Sequence, residues 1–415
     1  MIDIKKNSPL KKIFIGLAAI IISIWGVNWS IPILSISASY FWFILILLST
    51  FIFPLREFNF VDLKLILAIL SIFLILQLVG LVSILNNHGL ENLNYLYEQD
   101  IEYLLEYCTK FLLGILSVIA IRNLFTSKDD IKLFSLLFGV FISVFIIFLL
   151  WKYFFVFKMN YLGVNPEMPT VSGKNTLALL LVILGPFLFV NLKENLTYKM
   201  VSYLTVLICF MAVISIGSRA LIITSLIQIG LLIFILRKKL LIILVPTLIL
   251  IVSFSDFSIG KFMTKRMALD QEVSIEESFE ILSNSWRYKY LEYGVDGFIE
   301  SKGLGNGISS YRVMQSEDLS TENYERLESH NDYITIMFEQ GFLALALISW
   351  FLFRRIVVTY DTYQKCNETI VMASLLSLFG IMISMLFSNL VTAPIFWFSI
   401  ALNISITQSM RKKII

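Results

Sequence analysis

The sequence predicts an all-α polytopic membrane protein. About 12 transmembrane helices are expected, with one large extracytoplasmic helical loop between helices 9 and 10. Three observations carry this. First, 58% of the 415 residues are hydrophobic and only 15% charged, whereas soluble domains run near 45–50% apolar and about 25% charged. The mean hydropathy of +0.82 fits no ordinary soluble enzyme. Second, long uncharged apolar runs recur from end to end, and in lipid only a helix or a closed barrel satisfies its own backbone. Third, charge alternates between the segments that separate the runs.

The runs are 13–29, 31–53, 63–84, 104–121, 133–157, 175–192, 200–216, 219–236, 240–254, 332–352, 369–388 and 393–409. Two pairs are nearly continuous. They divide at Trp29-Ser30-Ile31-Pro32 and at Gly217-Ser218-Arg219, where a turn signal or a charge interrupts them. Lys5, Lys6, Lys11 and Lys12 precede the first run without a cleavage signal, so it reads as a retained signal-anchor.

With the N-terminus placed inside, alternation puts 20 of the 33 basic residues in the cytoplasm with only 8 of the 30 acidic ones. Lys128 and Lys132, Arg237 to Lys239, Arg354 with Arg355, and Arg411 to Lys413 are among them. The positive-inside rule is met at every cytoplasmic segment, and both termini fall inside. Lys128-Asp129-Asp130 reads as a solvated cytoplasmic loop. The organisation is then helices 1–9 over 1–254, the outer loop subdomain over 255–331, and helices 10–12 over 332–415. Within the loop, Trp286, Tyr290, Leu291, Val295 and Phe298 share one face of a helix expected to pack on the spans or lie in the interface. Gly303-Leu304-Gly305-Asn306-Gly307 ends it as a turn.

The composition excludes several functions. A net charge of +3 gives no nucleic-acid footprint. The three cysteines are scattered, with no metal-type spacing. No phosphate-binding Gly-Lys-Ser/Thr loop is present, and the cytoplasmic segments are too short to build a nucleotide site. An enzyme of this layout works on the outer face, without metal or other cofactor, on a substrate that arrives already activated. A lipid pyrophosphate leaving group fits, and it needs cations around it.

The candidate cations are few. Arg219 opens an apolar span, where it is either a functional intramembrane charge or a snorkelling interface residue. Arg287 lies on the loop helix and Lys174, followed by Asn175, opens span six; each has a plain surface alternative. His330 precedes span ten in His330-Asn331-Asp332-Tyr333, where it is either a general base or structural. Asn331 or Asp332 suits a helix cap. Glu339 is an intramembrane acid that should face protein or water, seven residues beyond Asp332 on the same face.

In this order, Ile216-Gly217-Ser218-Arg219, Trp286-Arg287, Gly303-Leu304-Gly305, then His330-Asn331-Asp332-Tyr333 with Glu339 and Gly341, the chain resembles the O-antigen ligase and O-antigen (capsular polysaccharide) polymerase family of bacterial membrane glycosyltransferases. The resemblance covers roughly residues 170–345. One departure is that Gly341 is followed by Phe342-Leu343-Ala344-Leu345-Ala346, without the second glycine the family often carries.

The resemblance implies a bacterial cytoplasmic-membrane enzyme. It would take an undecaprenyl-pyrophosphate-linked oligosaccharide at the outer leaflet and pass the glycan to a hydroxyl. Arg219 and Arg287 would hold the pyrophosphate and His330 would act as base or orient the acceptor. Lys174, Asn175, Asn331 and Glu339 are the candidate substrate contacts. The acceptor is another lipid-linked repeat unit in a polymerase, or a lipid core or cell-wall anchor in a ligase. The net acidic 255–331 loop favours the polymerase. Flippase and chain-length regulator proteins are conceivable partners. The rival class, a lipid-glycan flippase or transporter, commonly shows internal repeats, and the two halves here do not resemble one another.

Overall fold

The computed structural model describes residues 9–26, 44–45, 48–49, 52, 113–114, 116–118, 120–151, 174–193, 196–216, 224–225, 227–228, 286–307, 310–311, 331–386, 388, 390–391 and 393–414. Its helices are α1 (Pro9–Gly26), α2 (Lys128–Trp151), α3 (Lys174–Leu184, continued as a 3-10 helix over Gly185–Lys193), α4 (Leu196–Ile216), α5 (Trp286–Glu300), α6 (Asp332–Cys366), α7 (Thr369–Ser384) and α8 (Pro394–Ile414). No strand occurs among the described residues. The helices coincide with the expected spans 1, 5, 6, 7, 10, 11 and 12 and with the loop helix. Spans 3 and 9 and most of 2, 4 and 8 lie outside the described residues. The segments Lys128–Leu149 and Asp332–Cys366 are long and apolar enough to cross a membrane.

The start of α2 corrects one reading. Lys128-Asp129-Asp130 is not a solvated loop: Asp130 is buried. The Ser127 hydroxyl accepts from the Asp130 N–H, and the Asp130 carboxylate accepts from the Ser127 N–H at 2.8 Å. This reciprocal pair is a capping box. The same carboxylate meets the buried Lys11 ammonium at 2.6 Å and so fastens α1 to α2. A buried charge is held only where it is paired.

From there the core is aromatic and small. Phe134 stacks on Phe138 and packs on Phe398 of α8, with ring centroids 5.7 and 5.1 Å apart. Pro186 has no N–H to give, and the chain tightens to 3-10 geometry around it. Ser135 of α2 donates to the Phe187 carbonyl there, and Asn191 donates back to Ser135. Gln228, from span eight, donates to the carbonyls of Val182 and Leu376, and Gly380 leaves the space for its amide.

The segment between spans ten and eleven holds a second correction. It is not an irregular loop, because α6 continues unbroken from Phe342 to Cys366 and stops only at Asn367, whose φ is 50°. Arg355, placed in that loop by its charge, is buried. Its guanidinium donates to Asn403 at 2.9 Å and to Thr407 at 2.7 Å. Asn403 in turn donates to Thr359 and to Ser374. The polar side chains of three helices thus satisfy one another.

These ties also show that α6 bends. At one level Asn403 bridges Thr359 of α6 and Ser374 of α7; at another the Asp332 N–H donates to the Met385 carbonyl. Between those levels α7 rises about 16 Å, but a straight α6 would rise about 40 Å. The bend falls at Gly341, with φ 78° and ψ −176°. Asp332–Gln340 is therefore a short helical arm turned sharply from the long helix that follows it.

Candidate functional site

The arm is fixed at both ends. At its start Asn331 is the N-cap, its side-chain oxygen accepting from the N–H groups of Tyr333 at 3.0 Å and Ile334 at 3.2 Å. Asp332 does not cap. Its carboxylate reaches across to the turn between α7 and α8, accepting from the N–H groups of Leu390 at 2.6 Å and Val391 at 3.0 Å. The Tyr333 hydroxyl donates to the Met382 carbonyl beside it. Asp332→Ala leaves two buried N–H groups without their carboxylate. It is expected to cost about 2–3 kcal/mol, read as a lowered melting temperature of the purified protein; an unchanged melting curve would count against this tie.

At the far end the break in α6 deprives the Phe338 and Glu339 carbonyls of their helical donors. The glycine-rich loop supplies replacements. Asn306 N–H donates to Phe338 at 2.8 Å, Gly307 N–H to Glu339 at 2.8 Å, and Phe342 N–H to Gly303 at 2.9 Å. The Asn306 amide donates to the carbonyls of both Gly297 and Phe338. Non-helical backbone at membrane depth is tolerated only where protein satisfies it, and here one loop and one broken helix do so mutually.

The loop owes its shape to the end of α5. Gly303 N–H donates to Phe298 and Lys302 N–H to Ile299, with Lys302 at φ 53°. That is a Schellman ending. Gly305, at φ 88°, lies against backbone atoms of Glu339, Gln340 and Gly341 where a Cβ has no room.

α5 packs on the arm through glycines. Gly294 meets Ile334, and Gly297 meets the ring of Phe338. Tyr293, Tyr311 and Phe338 close a cluster with centroids 5.1–5.7 Å apart. Of the residues on the expected apolar face, Val295 and Phe298 are half-buried and Leu291 is 45% exposed. Small residues let the two backbones approach. Since position 294 meets 334 and 297 meets 338, α5 and the arm run parallel. Their N-terminal ends therefore lie at the same end of the unit.

Placed on this frame, the candidate residues divide. Arg287 stands in the first turn of α5, at the same end as the arm's cap, Asn331. Glu339 lies beside the break and is 4% exposed. Its neighbour Gln340 is 1% exposed, and among the described residues neither its amide oxygen nor its nitrogen has a hydrogen-bond partner. Lys174 opens α3, followed by Asn175. Arg219 and His330 lie outside the described residues, as do the side chains of Arg287, Lys174 and Asn175. The sequence did not single out Gln340; Asn306, Asp332 and Gly341 were noticed without their structural roles.

Residues 204–349 match the family model described as O-antigen ligase. The resemblance to the O-antigen ligase and polymerase family is thereby confirmed over that segment. It contains Arg219, Arg287, His330 and Glu339, and with them the whole of α5, its glycine loop and the arm. Lys174 and Asn175 precede it. No curated protein matches the chain. The match supports a polysaccharide ligase or polymerase type of function.

Proposed function

We propose that the protein is a surface-polysaccharide polymerase. It transfers glycan from undecaprenyl pyrophosphate to a hydroxyl of another lipid-linked repeat unit at the outer leaflet, and it needs no metal. The observation that carries this reading is the family match over 204–349, which spans the two arginines and the histidine that the chemistry requires. The acceptor hydroxyl oxygen attacks the anomeric carbon of the donor and the bond from that carbon to the pyrophosphate oxygen breaks. The hydroxyl proton goes to His330. Arg219 and Arg287 neutralise the departing pyrophosphate, a task that suits a bidentate guanidinium. Lys174, Asn175, Asn331 and Glu339 are proposed to contact substrate, Asn331 while its side-chain oxygen caps the arm.

Twelve spans with both termini cytoplasmic and the 255–331 loop outside complete the proposed topology. The acidic balance of that loop supports a repeat-unit acceptor over a heavily phosphorylated core. The test is an assay of the purified protein with the undecaprenyl-pyrophosphate repeat unit as sole substrate and a chelator present. A ladder of lengthening glycans is expected. Transfer only after a lipid-core or wall acceptor is added would make the protein a ligase, and no transfer with any acceptor would move the assignment to a transporter.

A further inference from the structure

We propose that Asn306 is a positioning residue for the transfer. It holds the helix that carries Arg287 in register with the arm that begins directly after His330. The inference rests on the transferase reading above for its kinetic half, and on geometry alone for its mechanical half.

Asn306 is the one described side chain in the loop whose amide ties both partners. It donates to the Gly297 carbonyl of α5 at 3.0 Å and to the Phe338 carbonyl of the arm at 3.2 Å. Its own N–H donates to Phe338 as well. The Phe338 carbonyl is available because the helix breaks at Gly341, so the tie exists only in the bent state of α6. Along the helix itself the α5–arm contact is two glycines against Ile334 and Phe338, with Tyr293 stacked on Phe338, and the main-chain bonds to the arm come from the loop beyond the end of α5. Glycines permit close approach but fix no register along the axis. Asn306 adds a directional bridge from α5 itself, at the Gly297 carbonyl, to the arm, at the Phe338 carbonyl.

Those bonds have consequences at the opposite end of the unit. Arg287 lies ten residues before Gly297 on one continuous helix, and His330 lies eight before Phe338. A slip of α5 along the arm displaces Arg287 relative to the start of the arm by the same amount. A displacement near 1 Å can cost about 10²-fold in rate.

Ser301 is the internal control. Its hydroxyl donates to Phe298 and accepts from Gly305, so it stiffens the loop on α5 without touching the arm.

The experiment uses the full chain in nanodiscs with its native cysteines replaced. Spin labels at Leu291→Cys on α5 and Tyr360→Cys on the long part of α6, both at exposed positions, report their separation by pulsed EPR. Kinetics are measured on the unlabelled variants. In the parent a single narrow distance is expected. Asn306→Ala broadens or shifts it and lowers kcat about 10- to 100-fold, while KM changes less than threefold. Ser301→Ala keeps both the parent distance and the parent kcat. Asn306→Asp, which keeps the volume but loses the donated bonds, behaves as Asn306→Ala and replaces it should the alanine variant fold poorly.

A parent-like distance in the Asn306 variants overturns the proposal, as does a changed distance with parent kcat. Equal losses in Ser301→Ala also overturn it, since loop integrity would then explain the effect. If the parent performs no transfer, the functional reading fails, while the EPR distances still decide whether Asn306 sets the register.

Discussion

Gly341→Ala is expected to abolish transfer and to lower stability by about 3 kcal/mol or more. Two causes add. At φ 78° and ψ −176° the backbone occupies a region that is essentially restricted to glycine. A Cβ there would also stand 2.5 Å from the Gly303 carbonyl oxygen and 2.6 Å from Leu304 backbone atoms. These neighbours are backbone and cannot swing aside. Relief requires either expulsion of the glycine loop or straightening of α6, which alanine, the best helix former, would favour. Both routes break the bonds from Asn306 and Gly307 and free α5 from the arm. Melting temperature and kcat of the purified variant check this. Gly185→Ala is the contrast, because a Cβ at Gly185 meets nothing within 4 Å and should be tolerated. If Gly341→Ala melted and turned over like the parent, the bend would have no bearing on stability or transfer.

That dependence on glycine geometry shows where the sequence was legible. Apolar runs located the helices now seen at Pro9–Gly26, Lys128–Trp151, Leu196–Ile216 and Thr369–Ser384 within a few residues, because burial in lipid or core demands them. Charge was a poorer guide. Asp130 read as solvated and Arg355 as one of the cytoplasmic charges, yet each is buried against partners far away in sequence, Lys11 and Asn403.

The candidate site shows the same division. Arg219, Arg287 and His330 were found through residue type, setting and resemblance. The clamp between the glycine loop and the arm was not legible, since it is made of main-chain hydrogen bonds between residues more than 30 positions apart. Gly303, Gly305 and Gly341 signalled a turn and a weak helix position; their mutual fit appears only when both segments are placed. The glycines of α5 were passed over for a related reason. Apolar periodicity marks large side chains, but the contact is made by Gly294 and Gly297.

His330→Ala is expected to lower kcat by about 10²–10⁴-fold with the protein folded. The expectation separates the chemistry of the histidine from the architecture beside it. The helix start is held by Asn331, which caps it, and by Asp332, which binds the N–H groups of Leu390 and Val391. Neither bond involves residue 330, so removal of the imidazole should leave the melting temperature close to the parent's. Asp332→Ala should do the reverse, with lost stability as its primary defect. A base that accepts the hydroxyl proton must be neutral, so the parent rate should fall as acid protonates the imidazole. The residual rate of His330→Ala should lack that dependence. His330→Gln, which can orient a hydroxyl by hydrogen bonding but cannot take its proton, distinguishes the two proposed roles. A rate like that of alanine assigns proton transfer, and a rate near the parent's assigns orientation of the acceptor. If His330→Ala itself turned over normally, the transfer would not run through this histidine and the proposed mechanism would be wrong.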